Sequence, residues 1–134
     1  MNYMLDTNLC IYVIANRSIE VVQKFRKMDQ HDISVSVIVA CELAYSVSKS
    51  QHREKNKMTL AVFMSALTID AMTDDVMWHY ADLRCQLEAA GTRIGENDLW
   101  IAAHALANNA VLVTSNLREF QRVPGLGLEN WLSF

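Results

Sequence analysis

Proline and glycine are scarce in this sequence: one proline and four glycines in 134 residues. Long irregular loops depend on both, so their scarcity points to regular elements, with helices prominent. Cysteine is scarce too. Cys10, Cys41 and Cys85 are odd in number, widely spaced and form no CxxC pair, which argues against a disulfide framework or a zinc ribbon. All three are expected to be small core hydrophobes. No stretch approaches the ~18 uncharged apolar residues that a membrane-spanning helix needs. The opening residues, Met1 to Asp6, hold neither a basic segment nor a long apolar run. No secretory leader is therefore expected, and a reducing cytoplasm is the expected setting. Basic charge is also short: 12 Lys and Arg against 15 Asp and Glu, for a formal net charge of -3. Any nucleic-acid role must then rest on a local basic patch, not on bulk attraction.

What the sequence has in quantity is apolar residue, 51% against 20% charged. That composition forms a core and excludes a disordered chain. The length suits one compact domain, which at this size buries roughly two thirds of its unfolded surface. Short apolar runs alternate with helical stretches. Strands are expected at Tyr3–Leu5, Ile33–Val35, Leu67–Ile69, Ala110–Thr114 and Leu128–Trp131. Helices are expected over Leu9–Ala15, Ser18–Met28, Val37–Lys49, Arg53–Ala66, Thr73 or Asp74 to Ala90, Asn97–Asn108 and Leu117–Phe120. Gly91 stops the long helix. Strict alternation of this kind predicts an α/β fold: a mostly parallel sheet with helices on both faces. In such folds ligands bind beyond the carboxyl ends of the strands.

That geometry singles out three acids. Asp6 follows the first strand; read alone, it is also a good helix N-cap. Glu42 lies on a helix with no plainly polar face, where a carboxylate is costly unless it reaches solvent or meets a cation. Asp98 opens a helix, where the dipole alone favours an acid, yet Ile101, Ala102 and Ala105 continue its stripe as a small apolar face. Together they are three carboxylates at strand ends and helix starts of one sheet. Gathered carboxylates repel, and a hard divalent cation relieves the repulsion. Such a cation polarises a phosphoryl oxygen and acidifies water, which suits phosphodiester hydrolysis.

The motifs resemble those of PIN-domain ribonucleases, and more narrowly of VapC toxins from bacterial toxin–antitoxin pairs. The resemblance rests on Met4-Leu5-Asp6-Thr7-Asn8, Cys41-Glu42-Leu43, Gly95-Glu96-Asn97-Asp98-Leu99-Trp100-Ile101-Ala102-Ala103-His104-Ala105 and Thr114-Ser115-Asn116-Leu117-Arg118-Glu119-Phe120, followed by Val123-Pro124-Gly125-Leu126. The order and spacing cover essentially the whole chain. The resemblance implies a single PIN-like domain over 1–134. It implies Mg²⁺, or Mn²⁺ in its place, on Asp6, Glu42 and Asp98, and an endoribonuclease acting on a structured tRNA or rRNA stem-loop. It implies a VapB-like antitoxin, a homodimer within a higher toxin–antitoxin complex, and DNA contact only through the antitoxin. Two positions depart from the family pattern. Asn116 stands where many relatives carry a fourth acid, and Ser46 where a glycine or alanine is common. Glu119 could supply the missing carboxylate if it faces the site.

Supporting roles fall to Thr7, Asn8, Asn97 and Thr114, each of which is also a cap or turn residue by type. Arg93, Arg118, Lys49 and Arg53 are candidates for tracking an RNA backbone; the basic run Lys49–Lys57 equally fits a solvated inter-helix segment. His104 lies six residues past Asp98 and is expected to pack away from the site. Trp78, Trp100 and Trp131 are expected in the core or an interface. A phosphatase of the haloacid-dehalogenase type would need D-x-D after the first strand, and Asn8 breaks that pair. A PIN-like module that binds RNA or protein without catalysis is the other alternative.

Overall fold

Met4 and Leu5 are fully buried, and the strand that holds them, β1 (Tyr3–Leu5), lies at the centre of a five-stranded sheet. The structure is a computed structural model that describes residues 1–132. The other strands are β2 (Ile33–Ser36), β3 (Thr68–Asp70), β4 (Val111–Val113) and β5 (Leu128–Glu129). Their order is β3-β2-β1-β4-β5 and every pair is parallel. Seven helices connect and flank them: α1 (Thr7–Ile14), α2 (Ile19–Lys27), α3 (Val37–Ser48), α4 (Arg53–Met64), α5 (Met77–Ala90), α6 (Glu96–Ala107) and α7 (Leu117–Phe120). All four residues of β2 are buried, as a strand covered on both faces requires.

The expected elements all form, with their ends moved by local chemistry. β3 begins one residue later than Leu67 because Leu67 packs into the core while the edge strand stays partly open, with Ile69 47% exposed. The long helix starts at Met77, since Asp74–Val76 form a separate 3-10 turn. Gly91 ends it in the left-handed region at φ 68°, a conformation glycine adopts without a Cβ clash. The expectation that all three cysteines are core residues is corrected. Cys10 is buried, but Cys41 and Cys85 sit on the solvent sides of α3 and α5. Trp131 is buried, Trp100 stacks on Tyr80 with centroids 3.9 Å apart, and Trp78 is 68% exposed, so it is not a core residue.

His104 ties α6 to the start of α3. It is 1% exposed, and its Nδ1 lies 2.8 Å from Ser36 Oγ, the hydroxyl that also caps α3 through Ile38 N. The ring also bonds the Ala71 backbone. Burial holds the imidazole below its ordinary value of 6.5, although Asp70 and Ala71 pull it partly back. The folded chain therefore favours the neutral ring. That contribution is full above 6.5 and is lost as pH falls through the lowered folded value. His104→Leu is expected to flatten the acid-side fall in thermal midpoint. It should also lower the plateau by about 1–3 kcal/mol, because the buried Ser36 hydroxyl loses a partner. Thermal melts across pH check both.

Candidate active site

The chain leaves β1 toward β2 and β3 on one side and leaves β4 toward β5 on the other. Where the strand order reverses, the connections diverge and leave a crevice beyond the carboxyl ends. The register Leu5↔Val113 sets Asp6 beside Thr114 at this point. Thr114 Oγ1 donates to Asp6 Oδ2 at 2.8 Å, and Thr7 N donates to Oδ1 at 2.7 Å. Asp6 thus caps α1 and still presents its carboxylate at the strand end, so one residue satisfies both readings. It is 5% exposed. Burial pushes its carboxyl above the ordinary aspartate range. The bonds from Thr114 and Thr7 pull it back, and the charges of Glu42 and Glu119 push it up again.

Glu42 reaches the same place from the second turn of α3. Thr7 Oγ1 donates to its Oε1 at 2.9 Å. Thr7 therefore holds two acids, one through its backbone and one through its side chain. The missing polar face of α3 has a simple explanation: the helix fully buries only Val39 and Leu43 and leaves Ala44 and Tyr45 to solvent. Glu42 is half-buried at the border of the two sides.

Asp98, in the first turn of α6, faces Glu119. Its carboxyl is pushed up to about 8 by burial first, then by the hydrogen bond to Glu119 and by the charges of Glu119, Asp6 and Glu42. Burial also pushes Glu119 up. There, however, Gly95 N–H, Asp98, the Asn116 amide and the Arg122 charge together bring it below the ordinary glutamate range. Asp98 is accordingly the protonated donor and Glu119 the carboxylate. Phe120, fully buried, anchors α7 beneath Glu119. Asn116 Nδ2 donates to Glu119 Oε2 at 2.8 Å, and Asn116 N donates to Thr114 Oγ1 at 2.9 Å. The amide at 116 brings no charge, but it orients the carboxylate that does.

Four carboxylates thus feel one another's charge in one crevice. Among the described residues no group of three His, Cys, Asp or Glu side chains is closed around a point ready to hold an ion; Asp98 is engaged with Glu119 instead. The donor set fits a hard divalent cation all the same. It is all oxygen and mutually repelling, and it carries a proton that a cation can displace. Other sequence candidates lie apart. Asn8 and Asn97 are exposed. Lys49 Nζ sits 4.9 Å over the Tyr45 ring, and Arg53 lines a groove between α3 and α4. Arg93 and Arg118 are exposed beside the crevice segments. Two ties escaped the sequence reading. Gly95 N donates to Glu119 Oε1, and Arg122 Nη1 donates to the Arg93 carbonyl at 2.8 Å. They join segments 24 and 29 residues apart, and no local pattern encodes such pairings.

The model of the PIN domain family matches residues 3–126, and the chain belongs to that family. Within it, the chain groups with the VapC ribonucleases. It is 45% identical to Ribonuclease VapC2 of Rickettsia felis over 132 residues, 98% of either chain. It is 35% identical to the tRNA(fMet)-specific endonuclease VapC of Salmonella typhimurium over 131 residues, again 98% of each. Among solved structures, the Rickettsia felis VapBC2 complex bound to a promoter DNA fragment contains a chain that superposes with a TM-score of 0.90 at 42% identity, covering 98% of this chain and 100% of that one. The DNA-bound VapBC of Salmonella typhimurium gives a TM-score of 0.92 at 35% identity, covering 98% and 99%.

Proposed function

We propose that this chain is the toxin of a toxin–antitoxin pair, an endoribonuclease that hydrolyses RNA phosphodiester bonds with Mg²⁺, for which Mn²⁺ can substitute. The observation that carries the reading is the set of mutually repelling carboxylates at the order reversal of the sheet. Asp6, Glu42 and Asp98 would hold the cation, with Glu119 beside them. When bound, the cation polarises the phosphoryl oxygen and makes water acidic enough to attack near neutral pH. Asp6 and Glu42 are held in place by Thr7 and Thr114, so their positions do not depend on substrate. A carboxylate of the cluster accepts the proton of the attacking water. Arg93 and Arg118 steady the phosphate backbone beside the acids; Lys49, at the end of α3, and Arg53, at the start of α4, meet phosphates farther along the RNA.

The partner is a VapB-like antitoxin. Both of the solved relatives described above are VapBC complexes. Tyr45, Met58 and Val62 stand 65%, 72% and 72% exposed on α3 and α4. That apolar surface supports protein docking, by the antitoxin and by a second copy of the chain. The negative net charge supports DNA contact through the antitoxin alone. Among the described residues no helix is long and apolar enough to cross a membrane, and the proposed setting is the cytoplasm. A structured tRNA or rRNA stem-loop is the proposed substrate.

The test uses the purified chain, total bacterial RNA and mapping of the cleaved ends. Water attack should leave 5′-phosphates, need no 2′-hydroxyl, and stop when divalent ions are chelated. Cyclic-phosphate ends, or equal cleavage in chelator, would overturn the mechanism.

A further inference from the structure

A shallow cleft between α5 and α6 is lined by Tyr80, Arg84, Leu87, Arg93, Ile94 and Leu99, with the acids Glu88 and Glu96 beside them. It is not the carboxylate crevice, but it shares the 93–99 segment with it. We propose that this cleft seats one unpaired RNA nucleotide next to the bond that is cut, with its phosphate on Arg93 and Arg84 and its base on the apolar side. The inference rests on the ribonuclease reading above and names which part of the substrate the chain grips.

Three features carry it. The first is preorganisation. The segment bearing Arg93 is pinned at each end: Thr92 N donates to Leu87 O at 2.9 Å, Gly95 N donates to Glu119, and Arg122 donates to the Arg93 carbonyl itself. Arg84 is preset as well. Its Nη1 donates to Tyr80 Oη at 3.0 Å and its Nε to Glu88 at 3.1 Å, while the Tyr80 ring is locked against Trp100. The Arg84 guanidinium held this way loses little freedom on meeting an anion, and Arg93 extends from a fixed backbone. The second feature is the division of chemistry within the cleft. Leu87, Ile94 and Leu99 give the cleft an apolar side suited to a ring, whereas Glu96, which also lines it, repels a phosphate placed against that side. Glu88 is already matched by Arg84. The phosphate therefore belongs at the Arg93 end and the base beside it, where its amino and imino groups can donate to Glu96. A base paired in a helix cannot enter such a cleft, so the nucleotide must be unpaired. The third is position. Ile94 and Glu96 of the cleft flank Gly95, whose N donates to Glu119 and whose Cβ position lies 3.8 Å from Asp98 Oδ2, so the cleft borders the acids.

The test measures binding, not cleavage, in the full-length Asp6→Asn chain. The probes are a labelled unstructured RNA strand and the same strand annealed to its complement. Arg93→Ala and Arg84→Ala should each weaken single-strand binding about tenfold, as loss of a charge-assisted contact does, and lower the salt slope by about 0.7. Ile94→Ala should weaken it several-fold with the slope unchanged. Thermal midpoints confirm that the folds persist. Equal loss on strand and duplex, or unchanged RNA binding with loss only of antitoxin binding, would overturn the cleft assignment and leave the ribonuclease reading standing. No RNA binding by the Asp6→Asn parent at about 50 mM salt, where phosphate contacts are strongest, would overturn both.

Discussion

Asp98→Asn is expected to make the cation-free chain more stable at alkaline pH and to abolish cleavage at every pH. Both outcomes follow from one hydrogen bond. In the wild-type chain Asp98 is pushed up to about 8 beside Glu119, which stays ionised. Its folded value lies above the ordinary 3.8, so its contribution to stability is complete at low pH and is lost as pH rises through 8. Above that point two carboxylates face each other. An asparagine amide donates to Glu119 as the protonated acid does, yet has no proton to lose. The variant should therefore already melt higher at pH 5, with the gap widening up to about 8 and level by pH 9. Because Asp98 is half-exposed, the gap is screened to about 1–2 kcal/mol. Glu119 has the opposite sign: its value is lowered, so its contribution fades only as pH falls below the glutamate range, outside this window. Adding Mn²⁺ should reverse the order. The wild type gains stability by binding and releases the Asp98 proton, so its affinity climbs with pH; the variant, short of one ligand, gains little. A wild type that melts higher than Asp98→Asn at pH 9 without metal would show that Asp98 is not pushed up.

The frame of the molecule was legible because its cause is local. Alternation of apolar runs with helical stretches produces a parallel sheet, and the rule that ligands sit beyond strand ends singles out Asp6, Glu42 and Asp98 from the sequence. Thr7 and Thr114 followed from the same rule, since each lies one residue past a strand or its cap. What stayed illegible depends on pairings distant in sequence. Glu119 could be suspected from its place after Asn116, but its orientation comes from Gly95 N and its ionisation from Asp98 and Arg122. The two outward cysteines show a different limit. Cys41 and Cys85 read as core by residue type, yet α3 and α5 leave apolar positions on their open sides, and Tyr45 and Trp78 are exposed with them. Residue type reports burial only where a face of the helix is covered within the chain.

Asp6→Asn should cost more than ~10³-fold in cleavage while leaving the fold nearly intact, because several kcal/mol of cation-assisted stabilisation vanish with one ligand charge. The small structural cost can be traced atom by atom. Asparagine Oδ1 can still accept from Thr7 N and so still cap α1. Its amide then faces Thr114 Oγ1, which already accepts from Asn116 N and must give up its own donor contact to Oδ2. That loses about 1 kcal/mol of hydrogen bonding. Against it stands the removal of a buried negative charge that burial, Glu42 and Glu119 all oppose. Asp6→Ala differs in kind: it removes the cap as well and should lower stability by a further ~1 kcal/mol. Thr114→Val separates the two contributions. It keeps the Asp6 charge but deletes the donor to Oδ2 and the acceptor for Asn116 N, at about 1–3 kcal/mol. Without that donor the Asp6 carboxyl moves further up, so the acid limb of the cleavage profile should shift to higher pH while activity on the alkaline plateau survives. Loss of cleavage across the whole pH range in Thr114→Val, equal to that in Asp6→Asn, would mean that the hydroxyl acts on the reacting groups directly and not by holding Asp6 ionised.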